Sequence, residues 1–171
     1  MNTEQLKCAI RCDDEMMHKI IGVYAADEIP RTLHTLPYGF IVNTDPHNLP
    51  GKHWIACFIN ENNILEVFDS FGCLPKKLSP HIEKYVHSFQ RYWVNNKRLQ
   101  SSDTRVCGEY CLFYLMCRCR KQLPKNIIDI FSNDFKINDQ FVHDFVEKRF
   151  YCCINTSKSF CQSCTYMNKF S

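Results

Sequence analysis

His53, Asp69, Gln100 and Cys107 stand in an order and at spacings that suit thiol catalysis. Cys107 is followed by Gly108 and opens the run Cys107–Arg120, apolar nearly all round, which predicts a buried central helix. A cysteine at a helix N-terminus sees the positive end of the helix dipole and uncommitted backbone N–H groups, and both favour thiolate. An imidazole beside it takes the thiol proton and later gives it to the leaving amine, while a carboxylate fixes the ring's tautomer and stabilises imidazolium. His53 and Asp69 are the candidates for those roles. Gln100, seven residues before Cys107 in the polar loop Gln100–Arg105, is placed to aim its amide at an oxyanion forming beside the Cys107 backbone N–H.

These groups need elements to position them. His53–Asn60 and Ile64–Ser70 are rich in Trp, Ile, Phe and Val and flank the turn-forming Glu61-Asn62-Asn63, which predicts a β-hairpin with His53 and Asp69 as neighbours. Tyr38–Asn43 is a further strand-like run. Apolar residues at Leu6, Ile10, Met17 and Ile20 or Ile21 predict a helix from Thr3, its N-cap, to about Ile21. Ser79 as N-cap and Pro80 at the first helical position open a predicted helix through Asn95, with Ile82, Val86, Phe89 and Trp93 on one face. Two more helices are predicted at about Lys125–Phe131 and Asp139–Phe150. Helix, then strands, then helices is an α+β order, and the absence of a repeat or a Gly/Pro-rich linker predicts one domain over residues 1–171.

Composition excludes several classes. With 45% hydrophobic and 13% aromatic residues the chain can bury a core, so a disordered regulator is ruled out. The 21 Lys and Arg against 18 Asp and Glu give a formal charge of +3, which permits nucleic-acid attraction without demanding it. The start, MNTEQLKCAIRCDDEMM, lacks the apolar segment of a secretory signal, so a reducing compartment and unbridged thiols are expected for most of the 12 cysteines. The longest apolar run, Cys111–Cys117, falls short of the roughly 18 residues that cross a bilayer.

Several blocks in order resemble the adenain family, the adenoviral maturation cysteine proteases, and its wider clan that includes the ubiquitin-like-protein proteases. They are Phe40-Ile41-Val42-Asn43-Thr44, Gly51-Lys52-His53-Trp54, Phe68-Asp69-Ser70-Phe71-Gly72, and Gln100 with Cys107-Gly108 and Cys111. Gly22-Val23-Tyr24 and Ser159-Phe160-Cys161 add weaker echoes. The Gln-to-Cys spacing is the specific part and fits the adenoviral enzymes. The resemblance implies a papain-like arrangement with a small mixed sheet packed on helices, His53 as general base, Asp69 as third member, Cys107 as nucleophile and Gln100 as oxyanion donor. It implies a monomeric, virus-encoded endopeptidase cutting capsid and core precursors near Gly-containing motifs, in virions assembling in the host nucleus. No metal or organic cofactor is expected.

By the same resemblance the activators would be a precursor-derived peptide and viral DNA. The best-known adenoviral enzymes carry Glu where Asp69 stands, and a shorter carboxylate must sit closer to His53. The cysteine to which the family's activating peptide is attached has no counterpart in Gln90–Gln100, with Phe89 near the expected place. Strand addition is the mode left open to such a peptide. The competing readings are an isopeptidase removing a ubiquitin-like modifier, whose double-Gly tail suits the narrow channel that the family's glycine preference implies, and an idle module that keeps the fold and binds DNA or capsid protein.

Plainer roles cover the remaining candidates. Cys111, Cys117 and Cys119 read as core residues of the central helix. Cys152-Cys153 and Cys161-x-x-Cys164 raise a zinc question, but adjacent cysteines rarely share one ion and no second separated pair exists, so ordinary thiols are expected. His81, His87 and His143 read as surface or satisfied core groups. Lys76-Lys77 and the basic residues of Arg91–Arg105 read as solvated faces.

Overall fold

The computed structural model describes residues 1–32 and 34–155. In chain order the elements are α1 (Thr3–Arg11), α2 (Asp14–Lys19), β1 (Ile20–Tyr24), β2 (Tyr38–Asn43), β3 (Trp54–Ile59), β4 (Leu65–Phe68), α3 (Pro75–Leu78), α4 (Pro80–Val86), β5 (Tyr92–Val94), α5 (Cys107–Cys119), α6 (Pro124–Asp129) and α7 (Phe135–Asn155). The strands form one mixed sheet in the order β1-β2-β3-β4-β5. The β2/β3 and β3/β4 pairs are antiparallel, and the outer β1/β2 and β4/β5 pairs are parallel. The α+β expectation holds. No helix among the described residues is long and apolar enough to cross a membrane.

Alternation along the strands divides the core. Ile41, Ala56, Phe58 and Phe68 face the helices α1, α5, α6 and α7, while Phe40, Val42, Ile55, Cys57 and Val67 face the opposite layer, closed by Ile82 and Val86 of α4. Burial on both sides explains why these strands read as nearly continuous apolar runs. Every residue of α5 from Gly108 to Cys119 is buried, as its sequence predicts. Tyr114 stacks on Phe68 at 4.4 Å between ring centroids, which seats the helix on the sheet.

One polar group crosses that contact. Glu66, on β4, takes Arg118 Nε at 2.6 Å and Nη2 at 2.8 Å, the Tyr114 hydroxyl at 2.9 Å and the Asn60 amide at 3.2 Å. The Arg118 guanidinium also lies 4.8 Å from the centre of the Phe58 ring. A buried carboxylate is tolerable here because donors occupy both of its oxygens.

The first predicted helix is two helices and a strand. Asn2, not Thr3, caps α1, and it forms a capping box with Gln5. Asp13 then ends the run, because its side chain accepts the Met16 N–H and starts α2. Ile20 and Ile21 belong to β1. The helix predicted from Ser79 to Asn95 ends at Val86, although Ser79 and Pro80 open it as expected. Trp93 instead pairs with Glu66 in β5. Last, α7 begins at Phe135, earlier than predicted, and breaks at Phe150 (φ −123°, ψ 26°).

Candidate functional site

His53 directly precedes β3 and Asp69 directly follows β4, so the hairpin register that pairs Ala56 with Phe68 sets them side by side. His53 Nε2 lies 2.5 Å from Asp69 Oδ1. That leaves Nδ1 as the nitrogen for Cys107, with whose thiol His53 shares a hydrogen bond. The Cys107 sulfur also accepts from the Trp54 backbone N–H. Three residues distant in sequence thus meet at the junction of the sheet with the N-terminus of α5.

Asp69 is fully buried and over-determined. Its Oδ1 also accepts the Phe71 N–H at 3.1 Å, and its Oδ2 accepts the Cys73 N–H at 2.7 Å. Asn95 grips its backbone from both sides, accepting the Asp69 N–H at 2.7 Å and donating to the Asp69 carbonyl at 2.8 Å. The turn closes at Gly72, whose φ is +67° and where a Cβ would stand 2.8 Å from the Lys97 carbonyl carbon. Asn95→Ala is expected to leave these backbone groups unpaired, to cost about 1–3 kcal/mol in a thermal melt, and to lower activity by misplacing Asp69.

Gln100 is anchored to the same turn. Its backbone N–H donates to the Ser70 carbonyl at 3.1 Å, and its Oε1 accepts the Ser70 hydroxyl at 2.7 Å. That fixes the amide orientation, and Nε2 donates to the Thr104 carbonyl at 3.0 Å. Thr104 and Tyr110 are braced in turn by Asp139 of α7, which accepts their hydroxyls at 2.7 and 2.9 Å. His53, Gln100 and Cys107 all line one cleft of about 580 Å³, walled by Trp54, Phe71 and Thr104 and bordered by Asn2, Thr3, Gly51 and Arg105. No side chain caps α5 at this end. Its first-turn N–H groups therefore add positive potential at the cleft.

The electrostatics of the pair follow from those contacts. Burial alone would pull the His53 imidazolium down, yet Asp69 and Cys107 together raise its pKa to about 9. Burial alone would push the Cys107 thiol up, yet the hydrogen bond and charge of His53, with the Trp54 N–H, hold it below the usual thiol range. Each group stabilises the charged form of the other, which shifts the pair towards thiolate with imidazolium. Cys73, the half-buried thiol near Asp69, is shifted the opposite way, by burial and by that carboxylate. At mildly acidic pH iodoacetamide is therefore expected to alkylate Cys107 well ahead of Cys73, read by peptide mapping. Equal labelling would argue against a thiolate at Cys107.

The structure brings His53, Asp69 and Cys107 into contact, and places Gln100 on the same cleft. Cys111, Cys117 and Cys119 are buried free thiols in the core. Sequence reading did not single out Asn95, Thr104, Asp139 or the Trp54 backbone N–H. None carries a local signal, because each acts through a contact that exists only once the chain is folded. Ser159, Phe160, Cys161 and Cys164 lie outside the described residues.

No family model matches the chain. Over 92 residues it is 34% identical to the cysteine protease S273R of African swine fever virus (isolate Tick/Malawi/Lil 20-1/1983), across 47% of this chain and 33% of that protein. In the isolate Tick/South Africa/Pretoriuskop Pr4/1996 that protein, 33% identical, is named SUMO-1 cysteine protease S273R. The chain spans about a third of the length of these curated relatives. Among solved structures, the central domain of the uncharacterized protein Lpg1148 from Legionella pneumophila superposes with a TM-score of 0.55 at 11% identity, covering 91% of this chain and 98% of that one. ChlaDub1 from Chlamydia trachomatis gives 0.51 at 12% identity, covering 93% and 82%. At such identities the likeness is one of fold. The named sequence relatives are viral cysteine proteases, and the adenoviral assignment stands on motif resemblance alone.

Proposed function

We propose that the chain is a cysteine protease in which Cys107 attacks a scissile carbonyl, His53 shuttles the proton, and Asp69 orients and charges the imidazole. The observation that carries this reading is the His53 imidazole held between Asp69 and Cys107, with the base shifted up and the thiol down. Attack turns the carbonyl oxygen into an oxyanion, which the N–H groups at the start of α5 and the Gln100 amide stabilise. His53 then protonates the leaving amine. Water, deprotonated by the same ring, releases the acyl group from sulfur.

The substrate we propose is an extended protein segment with glycine next to the scissile bond. The walls of Trp54 and Phe71 make a channel that a backbone without side chains enters most closely. Precursor cleavage during virion maturation is the form this takes by resemblance, with viral DNA and a precursor-derived peptide as activators. Removal of a ubiquitin-like modifier is the second reading. It is favoured by the SUMO-1 protease name of some relatives and uses the same channel for a double-Gly tail.

The deciding experiment offers a Leu-x-Gly-Gly-x peptide and a ubiquitin-like protein fused at its C-terminus, with and without DNA and precursor peptides, and uses Cys107→Ala as control. Peptide cleavage stimulated by DNA or peptide supports maturation. Preference for the folded modifier supports deconjugation, and turnover of neither under any condition argues for the idle module. Gln100→Ala is expected to lower kcat by roughly 10²–10³-fold with little change in KM. An unchanged kcat would remove the oxyanion role. The pH profile should be a bell. Its acid limb follows the lowered Cys107 pKa, and activity is lost as pH rises through about 9, where His53 gives up its proton.

A further inference from the structure

Away from the cleft, α1 and α7 close on one another with three sulfurs between them. Cys8 and Cys12 lie a helical turn apart at the end of α1, and Cys153 comes from α7 beyond the break at Phe150. The three Sγ atoms all lie within 4.8 Å of one another, and Cys153 Sγ donates to Cys12 Sγ at 3.2 Å. Cys8 and Cys153 are buried, whereas Cys12 is half-buried, so one side of the cluster faces outward.

Tetrahedral zinc with Zn–S bonds of about 2.3 Å sets its thiolates about 3.8 Å apart. That spacing falls between the 3.2 Å contact and the 4.8 Å limit found here, so changes in sulfur–sulfur distance of about 1 Å or less complete the geometry. The surrounding charge is also suited. Arg120 and Arg149 converge on the single carboxylate oxygen Asp13 Oδ2 at 2.8 and 2.9 Å. Asp13 adjoins Cys12, and Arg149 stands four residues before Cys153, just ahead of the break at Phe150. Two guanidiniums against one carboxylate leave a positive charge over, which matches the single negative charge of three thiolates around a divalent ion.

We propose that Cys8, Cys12 and Cys153 form a three-thiolate cluster that ligates a soft divalent cation of the zinc class. Binding forms three metal–sulfur bonds and releases three protons to solvent, with no change of oxidation state. Without metal the Cys153 thiol stays protonated, since the hydrogen bond to Cys12 and burial push it far up. Metal, not a base, is what ionises it. The sequence pairing of Cys153 with Cys152, Cys161 and Cys164 pointed elsewhere, while the Cys8-x-x-x-Cys12 spacing on one helix face was the signal available. A bound ion would tie α7 to the helix whose Asn2 cap and Thr3 border the cleft.

The test titrates Zn(II) and Co(II) into the full chain carrying Cys107→Ala, under a phosphine reductant, because the His53–Cys107 pair would compete for metal. Expected are uptake of one equivalent, release of protons, an intense sulfur-to-cobalt charge-transfer band and a zinc-dependent rise in Tm. Adding Cys8→Ser with Cys153→Ser should abolish the band and the rise. The proposal falls if the band survives loss of Cys8 and Cys153. Should the serine variants fold poorly, the chain with its cluster intact decides the matter, because absence of a thiolate band there overturns it.

Discussion

Replacing Cys107 with alanine is expected to lower kcat by about 10⁵–10⁶-fold, to the residual rate that binding and the oxyanion donors sustain, while Kd for substrate and the melting temperature stay close to those of the parent. The sulfur is the only atom of that side chain that forms a bond in the proposed reaction, and removing it leaves the cleft's walls and the α5 N–H groups in place. His53→Ala should fall nearly as far. The remaining thiol loses the hydrogen bond and charge of the imidazole, so burial is opposed mainly by the Trp54 N–H and its pKa moves up. The two losses should not add, since nucleophile and base act as a unit. Single-turnover assays on the fused substrate check all three variants. Cleavage by purified Cys107→Ala at more than a hundredth of the parent rate would move the nucleophile elsewhere.

A second large effect is expected far from the cleft. Glu66→Ala should cost about 3–5 kcal/mol, because it strands the buried Arg118 guanidinium without its carboxylate and frees the Tyr114 hydroxyl. In a chain of this size that lowers Tm by roughly 10 °C. Glu66→Leu combined with Arg118→Leu should recover most of the loss, because removing both charges removes the penalty of leaving one unpaired. Melting curves of the single and double variants test this. A double variant as unstable as Glu66→Ala would show that the polar network, not the unpaired charge, holds α5 to the sheet.

The chemistry was easier to read in the sequence than the framework around it. His53, Asp69 and Cys107 stood out because each sits at the end of an element with a strong local signature: two apolar strands joined by a polar turn, and one helix apolar on every side. The Ser79-Pro80 start was legible for the same reason. Its end was not, since Ile82, Val86, Phe89 and Trp93 keep helical spacing through a turn into β5. A strand of three residues has no period of its own, and what defines it is the parallel pairing with β4. Residues 20 and 21 misled likewise by continuing an apolar stripe that Asp13 had already broken. The supports of the site, Asn95 on Asp69, Ser70 on Gln100 and Asp139 on Thr104, are contacts between segments remote in sequence. No local pattern announces them.

The base and its carboxylate come from one hairpin, whereas the nucleophile comes from a helix reached only after β5 has been added to the sheet. During synthesis the chain therefore holds His53 and Asp69 for some time before it has any Cys107 to activate. Even afterwards the thiol stays an ordinary one until α5 docks, because its ionisation depends on the imidazole and the Trp54 N–H. Docking of α5 closes contacts of long sequence separation, which are the slow ones to form. A nascent chain built this way keeps its thiol unreactive towards its neighbours on the polysome, and that reactivity arrives together with its native structure.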